Sequence, residues 1–135
     1  VMPEARFKEL ASAQPAQNLD ARLWAIDAAL LAGRFQTALA LAEAAAADFP
    51  DERRAVVSFQ LARFSLGIQR GDAGRRLAEA AVAELEALPK GNAALAYNIA
   101  SMHRELDNLE KAKFYRDIFL QMEGEGAYAD YIRLF

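Results

Sequence analysis

Apolar positions along this chain recur at intervals of three and four, not two, so the pattern predicts helices throughout and no strand. Leu19, Leu23, Ile26 and Leu30 mark one helical face that runs up to Gly33, and glycine there can take the left-handed conformation that ends a helix. A second helix spans about residues 35–48 and stops at Phe49-Pro50. Asp51 and Glu52 suit the positive N-terminal end of a third, which reaches Gln69 or Arg70 before Gly71. A fourth covers about residues 73–88 and stops at Pro89-Lys90-Gly91. Asn92 can cap a fifth, and a tight turn at Leu106-Asp107-Asn108 leads into a sixth that ends before Gly124. Residues 3–13 predict a short N-terminal helix with Phe7 and Leu10 on one face, interrupted at Pro15. The closing AYADYIRLF puts Tyr128, Tyr131, Ile132 and Phe135 on one stripe.

The breakers themselves repeat. Gly33 and Gly71 lie 38 residues apart, Leu106 falls 35 beyond Gly71, and Pro50 and Pro89 are 39 apart. First helices carry a large-large-small-large pattern: Leu61, Phe64, Ser65 and Ile68, then Leu95 or Ala96, Ile99, Ala100 and His103. Second helices offer small residues to nest against them, Ala38, Ala78 and Ala112, followed one turn on by Ala42, Val82 and Arg116. This layout resembles the tetratricopeptide repeat, whose unit is roughly 34 residues. The likeness is best over Asn92 to Met122 and weakest in the first unit, where Asp27 falls at a position for a small residue.

The resemblance implies an all-α, right-handed superhelix of three stacked antiparallel hairpins, at about residues 19–50, 51–90 and 92–124. A short N-terminal helix would precede them, and a capping helix at about 126–135 would close the last apolar face. It also implies a concave side lined by the first helices. Projected on this chain, that side carries Trp24, Asp27 and Leu31, then Phe59, Arg63, Leu66 and Arg70, then Tyr97, Asn98, Ser101 and Glu105. Aromatic anchors among Arg and Asn are the composition of a binding surface. Trp24 and Phe59 are equally consistent with packing against the N-terminal helix or a neighbouring hairpin. The family's carboxylate clamp needs lysines on first helices, and Lys8, Lys90, Lys111 and Lys113 all lie elsewhere, so that specificity is not expected.

Composition narrows the chemistry. Apolar residues make up 54% of the chain and alanine is the commonest, which predicts a thin, closely packed core. With 16 Lys plus Arg against 19 Asp plus Glu, concentrated positive charge for nucleic acid is not expected. No run of apolar residues is long enough to span a membrane, and VMPEARFKEL lacks the apolar stretch of a secretory leader. Cysteine is absent, which excludes disulfides and thiolate chemistry and fits a cytoplasmic location. His103, the only histidine, cannot build a metal cage alone and is expected as a hydrogen-bonded interface residue. The stretch Gly71-Asp72-Ala73-Gly74 lacks the lysine of a phosphate loop. The carboxylates Asp27, Glu43, Glu79 and Glu84 form no evident acid–base pair, and the arginines from Arg53 to Arg76 are interspersed with acids.

The sequence therefore points to a non-enzymatic scaffold or adaptor, without cofactor or metal, that holds a peptide or helix of a protein partner. The alternative is a non-catalytic accessory or regulatory domain of a larger enzyme, such as a transferase. The C-terminal aromatic stripe could cap its own hairpin or join two copies into a homodimer.

Overall fold

The computed structural model describes residues 18–89 and 92–135, and over these the protein is all-α, with seven α-helices and no strand among the described residues. The predicted N-terminal helix, with Phe7 and Leu10, lies outside the described residues. The helices are α1 (Leu19–Leu31), α2 (Phe35–Asp48), α3 (Arg53–Gln69), α4 (Arg75–Glu86), α5 (Ala93–Glu105), α6 (Leu109–Met122) and α7 (Ala127–Ile132). A 3-10 turn, Gly71–Gly74, leads into α4, so that helix starts slightly later than its sequence pattern predicts. The chain divides into two compact units, Val1–Ala78 and Glu79–Phe135.

In the first unit, Asn18 caps α1 by accepting a 3.0 Å hydrogen bond from the Ala21 amide. Gly33, at φ +74°, turns the chain back, and Arg34 N donates to Ala29 O to close the helix end. Arg22, early in α1, meets Asp48, the last residue of α2, at 2.6 Å, so the two helices run antiparallel. Asp20 and Arg54 meet at 2.7 Å, which brings the starts of α1 and α3 together. Both pairs reach the surface and contribute at most about 1 kcal/mol each. The stabilising core is Ile26, Ala29, Ala38, Ala42, Ala45 and Ala62, with Leu23, Leu39 and Phe59 at its margin.

The second close approach in this unit is made by glycine. A Cβ on Gly67 would lie 2.7 Å from Gly74 O and 2.8 Å from Ala78 N, so α3 runs almost backbone against backbone past the turn into α4. The predicted pattern on α3 is only partly met: Phe64 is buried, Leu61 and Ser65 are half-buried, and Ile68 is exposed. The reason is that α3 packs against α1 and α2 and also against the 3-10 turn, so its buried residues are spread around the helix instead of forming one stripe.

In the second unit, Asn92 caps α5 by accepting from the amides of Ala94 at 2.8 Å and Leu95 at 3.4 Å. Leu106, Asp107 and Asn108 form the predicted turn, with Asp107 in the left-handed region at φ 61°. Across it, Leu95, Ala96, Ile99, Ala100 and Met102 of α5 are buried with Ala112, Tyr115 and Phe119 of α6. The tail helix α7 folds back on its own hairpin. Arg116 donates to Phe135 O at 3.0 Å, and the Arg104 guanidinium sits 4.6 Å over the Phe135 ring. Of the predicted stripe, Ile132 is buried and Phe135 half-buried, while Tyr128 and Tyr131 stay exposed and Ala129, outside the stripe, is buried. On α6, Phe114 is exposed, whereas Phe119 is enclosed.

Candidate functional site

The groove residues of the first unit fall into two groups. On α1, Trp24 is 61% exposed and Leu31 91% exposed, on the side away from the buried Ala25, Ile26 and Ala29. Asp27 is exposed as a residue, yet burial around its carboxyl pushes the pKa upward. On α3, the arginine is already engaged. Arg63 donates to the Oε1 of buried Gln60 at 2.7 Å and lies 5.7 Å over the half-buried Phe59 ring, which itself borders the alanine core. Phe59 is thus chiefly a packing residue, and Arg63 satisfies a buried amide. Leu66 is buried, contrary to its predicted place on the open face, and Arg70 is exposed at the end of α3.

In the second unit, two of the predicted residues converge. Tyr97 and Asn98 line a cavity of about 350 Å³ together with Ala94, Phe119, Glu123 and Tyr128. Three elements build it: α5 supplies Ala94, Tyr97 and Asn98, the end of α6 supplies Phe119 and Glu123, and α7 supplies Tyr128. The Tyr97 ring stands 5.4 Å from Phe119 at 60° and 5.2 Å from Tyr128 at 81°. Rings at these separations touch edge to face, so each fixes the orientation of the other. Burial pushes the Tyr97 phenol up, with the nearby Tyr131 and Tyr128 adding to the shift and a hydrogen bond with Ser101 opposing it. Ser101, one turn along, is therefore a support for Tyr97. Glu105 is exposed. Phe119, Glu123 and Tyr128 were not singled out for the site by the sequence, since the pairing of α6 with α5 brings the first two to it and the return of α7 brings the third.

Away from the cavity, a buried polar cluster joins α4, α5 and α6. Tyr115 donates to Glu86 Oε2 at 2.8 Å, and His103 stacks on the Tyr115 ring at 5.8 Å and 16°. His103 Nε2 lies 3.4 Å from Glu86 Oε1, an ion-pair distance, but neither ring nitrogen has a hydrogen-bond partner. The expected interface position is met, while the expected hydrogen bond is not. Burial lowers the His103 pKa; Glu86 opposes this and Lys111 adds to it, so the ring is neutral at physiological pH. Burial, then the bond to Glu86, pushes Tyr115 up to about 12. With the carboxylate held by a phenol and the imidazole stacked, this cluster is a structural contact between helices.

Among the described residues, no group of three or more His, Cys, Asp or Glu side chains converges as a metal would require, and no helix is long and apolar enough to cross a membrane. No family model matches the chain, and no curated protein or solved structure matches it either.

Proposed function

We propose that this protein is a non-catalytic interaction module of the tetratricopeptide type, a right-handed superhelix of hairpins that holds a segment of a protein partner. The observation that carries the reading is the cavity on the last hairpin, which contains both Tyr97 and Asn98, two residues assigned to binding by the repeat pattern. At about 350 Å³ it lies near the lower limit for ligand pockets, roughly 300–1,000 Å³, and suits one side chain of a partner segment. The repeat reading is supported by the small residues at the crossings: Ala38 and Ala78 are 0% exposed and Ala112 is 1% exposed. It is supported as well by the antiparallel pairing of α1 with α2 and by the shared start of α1 and α3.

The test is a selection of peptides from a random display library on the immobilised protein, followed by affinity measurement against variants. Asn98→Leu projects an apolar branch into the cavity and is expected to weaken selected peptides about tenfold or more, the loss of one anchor contact. If peptides bind Asn98→Leu and Tyr128→Ala as tightly as the unaltered protein, the cavity is not the binding site.

A further inference from the structure

The chemistry of the cavity wall selects among possible occupants. Its six lining residues include three aromatic rings, Tyr97, Phe119 and Tyr128, set steeply to one another within 5.2 to 5.4 Å of the central Tyr97. Glu123 supplies a carboxylate at the same cavity, and no Lys or Arg lines it. Aromatic faces carry negative potential and attract a cation within about 6 Å of the ring centroid. An anion would meet ring faces and a carboxylate of its own sign. A neutral aliphatic group would fill the space but would gain nothing from Glu123.

The form of the cation follows from its hydrogen-bonding needs. A bare ammonium brings three N–H donors and loses their water partners on entry unless acceptors replace them. Acceptors here are the Glu123 carboxylate and the Asn98 amide oxygen, while the Tyr97 hydroxyl is engaged with Ser101. A methylated ammonium carries its charge on methyl groups, needs no acceptor, and presents apolar surface to the rings.

We propose that the cavity formed by Tyr97, Phe119, Tyr128, Asn98 and Glu123 is an aromatic cage for a methylated ammonium group, the head of a trimethylated lysine or of a choline-like small molecule. This inference rests on the cavity being a ligand seat, as argued above, and names what the seat recognises. Tyr128 is 65% exposed and forms the outer wall, whereas Phe119, at 2% exposed, is the inner one.

The experiment titrates the full chain with choline and with its neutral carbon isostere, in which carbon replaces the charged nitrogen, at constant ionic strength. Tyrosine ring resonances report binding by NMR. Choline is expected to bind about tenfold or more tightly than the isostere, and Tyr128→Ala and Glu123→Gln are each expected to weaken it about threefold or more. Both variants change exposed residues, and unchanged melting curves confirm that they fold. Equal binding of choline and the isostere overturns the cationic chemistry while leaving the cavity a ligand seat. Absence of binding by both choline and a trimethyl-lysine peptide overturns the cage, whereas failure of the display selection would instead overturn the interaction reading. A short trimethyl-lysine peptide that binds more tightly than choline supports the cage with a protein side chain as its ligand. The reverse order supports it with a free small molecule.

Discussion

The first hairpin and the last use the same helix-turn-helix plan with opposite side chains inside. Between α1 and α2 the interior is almost entirely methyl groups, since Ala29, Ala38, Ala42 and Ala45 are all 0% exposed around a single Ile26. Short side chains let backbones approach and leave little to arrange, so the packing is tight and chemically silent. Between α5 and α6 the interior holds Tyr97, His103, Tyr115 and Phe119, large planar groups that meet at angles. Rings of that kind cannot interdigitate as methyl groups do. They leave a cavity at one end of the hairpin and a polar cluster away from it. A core of methyl groups closes up, and a core of rings leaves space at its margin.

The contrast is most exposed to overpacking. Gly74→Ala should have the largest effect, because a Cβ there would stand 2.1 Å from Gly67 O, a backbone atom with no rotamer to escape by. A loss of about 3 kcal/mol in denaturant unfolding is expected. A variant as stable as the original would mean that α3 and the turn are not in contact. Ala112→Leu, at a residue 1% exposed, should cost about 2 kcal/mol, and Asn98→Leu on the cavity wall less than about 0.5 kcal/mol. Equal costs for that pair would erase the distinction between a filled crossing and an open cavity.

Two smaller effects sharpen the account of the last hairpin. Asn92→Ala removes the acceptor for the Ala94 and Leu95 amides and should cost about 1 kcal/mol, read as earlier thermal unfolding. The smallest effect is a pH dependence. The His103 pKa is lowered in the folded protein from an ordinary value of 6.5, so the unfolded chain binds the extra proton first. Its contribution is complete above pH 6.5 and is lost as pH falls from there through the folded value. His103→Phe keeps the stack on Tyr115, and its unfolding free energy should fall less over that window than that of the unaltered protein. Parallel pH profiles for the two would show that burial does not lower the His103 pKa.

Much of this architecture could be read from local signals. Gly33, Asn92 and the Leu106–Asn108 turn acted where their chemistry predicts, and the small residues at 38, 78 and 112 are buried as their spacing requires. What escaped depends on pairs distant in sequence. Gly67 has meaning only opposite Gly74, and Gly74 belongs to a stretch that the sequence offers merely as a failed phosphate loop. The half of the cavity on α5 was legible, because Tyr97 and Asn98 are half-buried residues on the face that the repeat pattern assigns to the groove. The other half was not, because Phe119 and Glu123 reach it only when α6 pairs with α5, and Tyr128 only when α7 folds back. Arg63 looked free for a partner for the same reason: its attachment to Gln60 lies on the same helix, but Gln60 needs it only once buried.

The central claim is that recognition resides in the ring-lined cavity of the last hairpin. It is tested most directly by backbone and tyrosine-ring NMR mapping of a display-selected peptide bound to the isotopically labelled chain. The largest shifts should fall on Ala94, Tyr97, Asn98, Glu123 and Tyr128, and Asn98→Leu should move the peptide concentration needed to reach them up about tenfold or more. Shifts centred instead on Trp24 and Leu31 of α1, with the cavity residues unmoved, would contradict it.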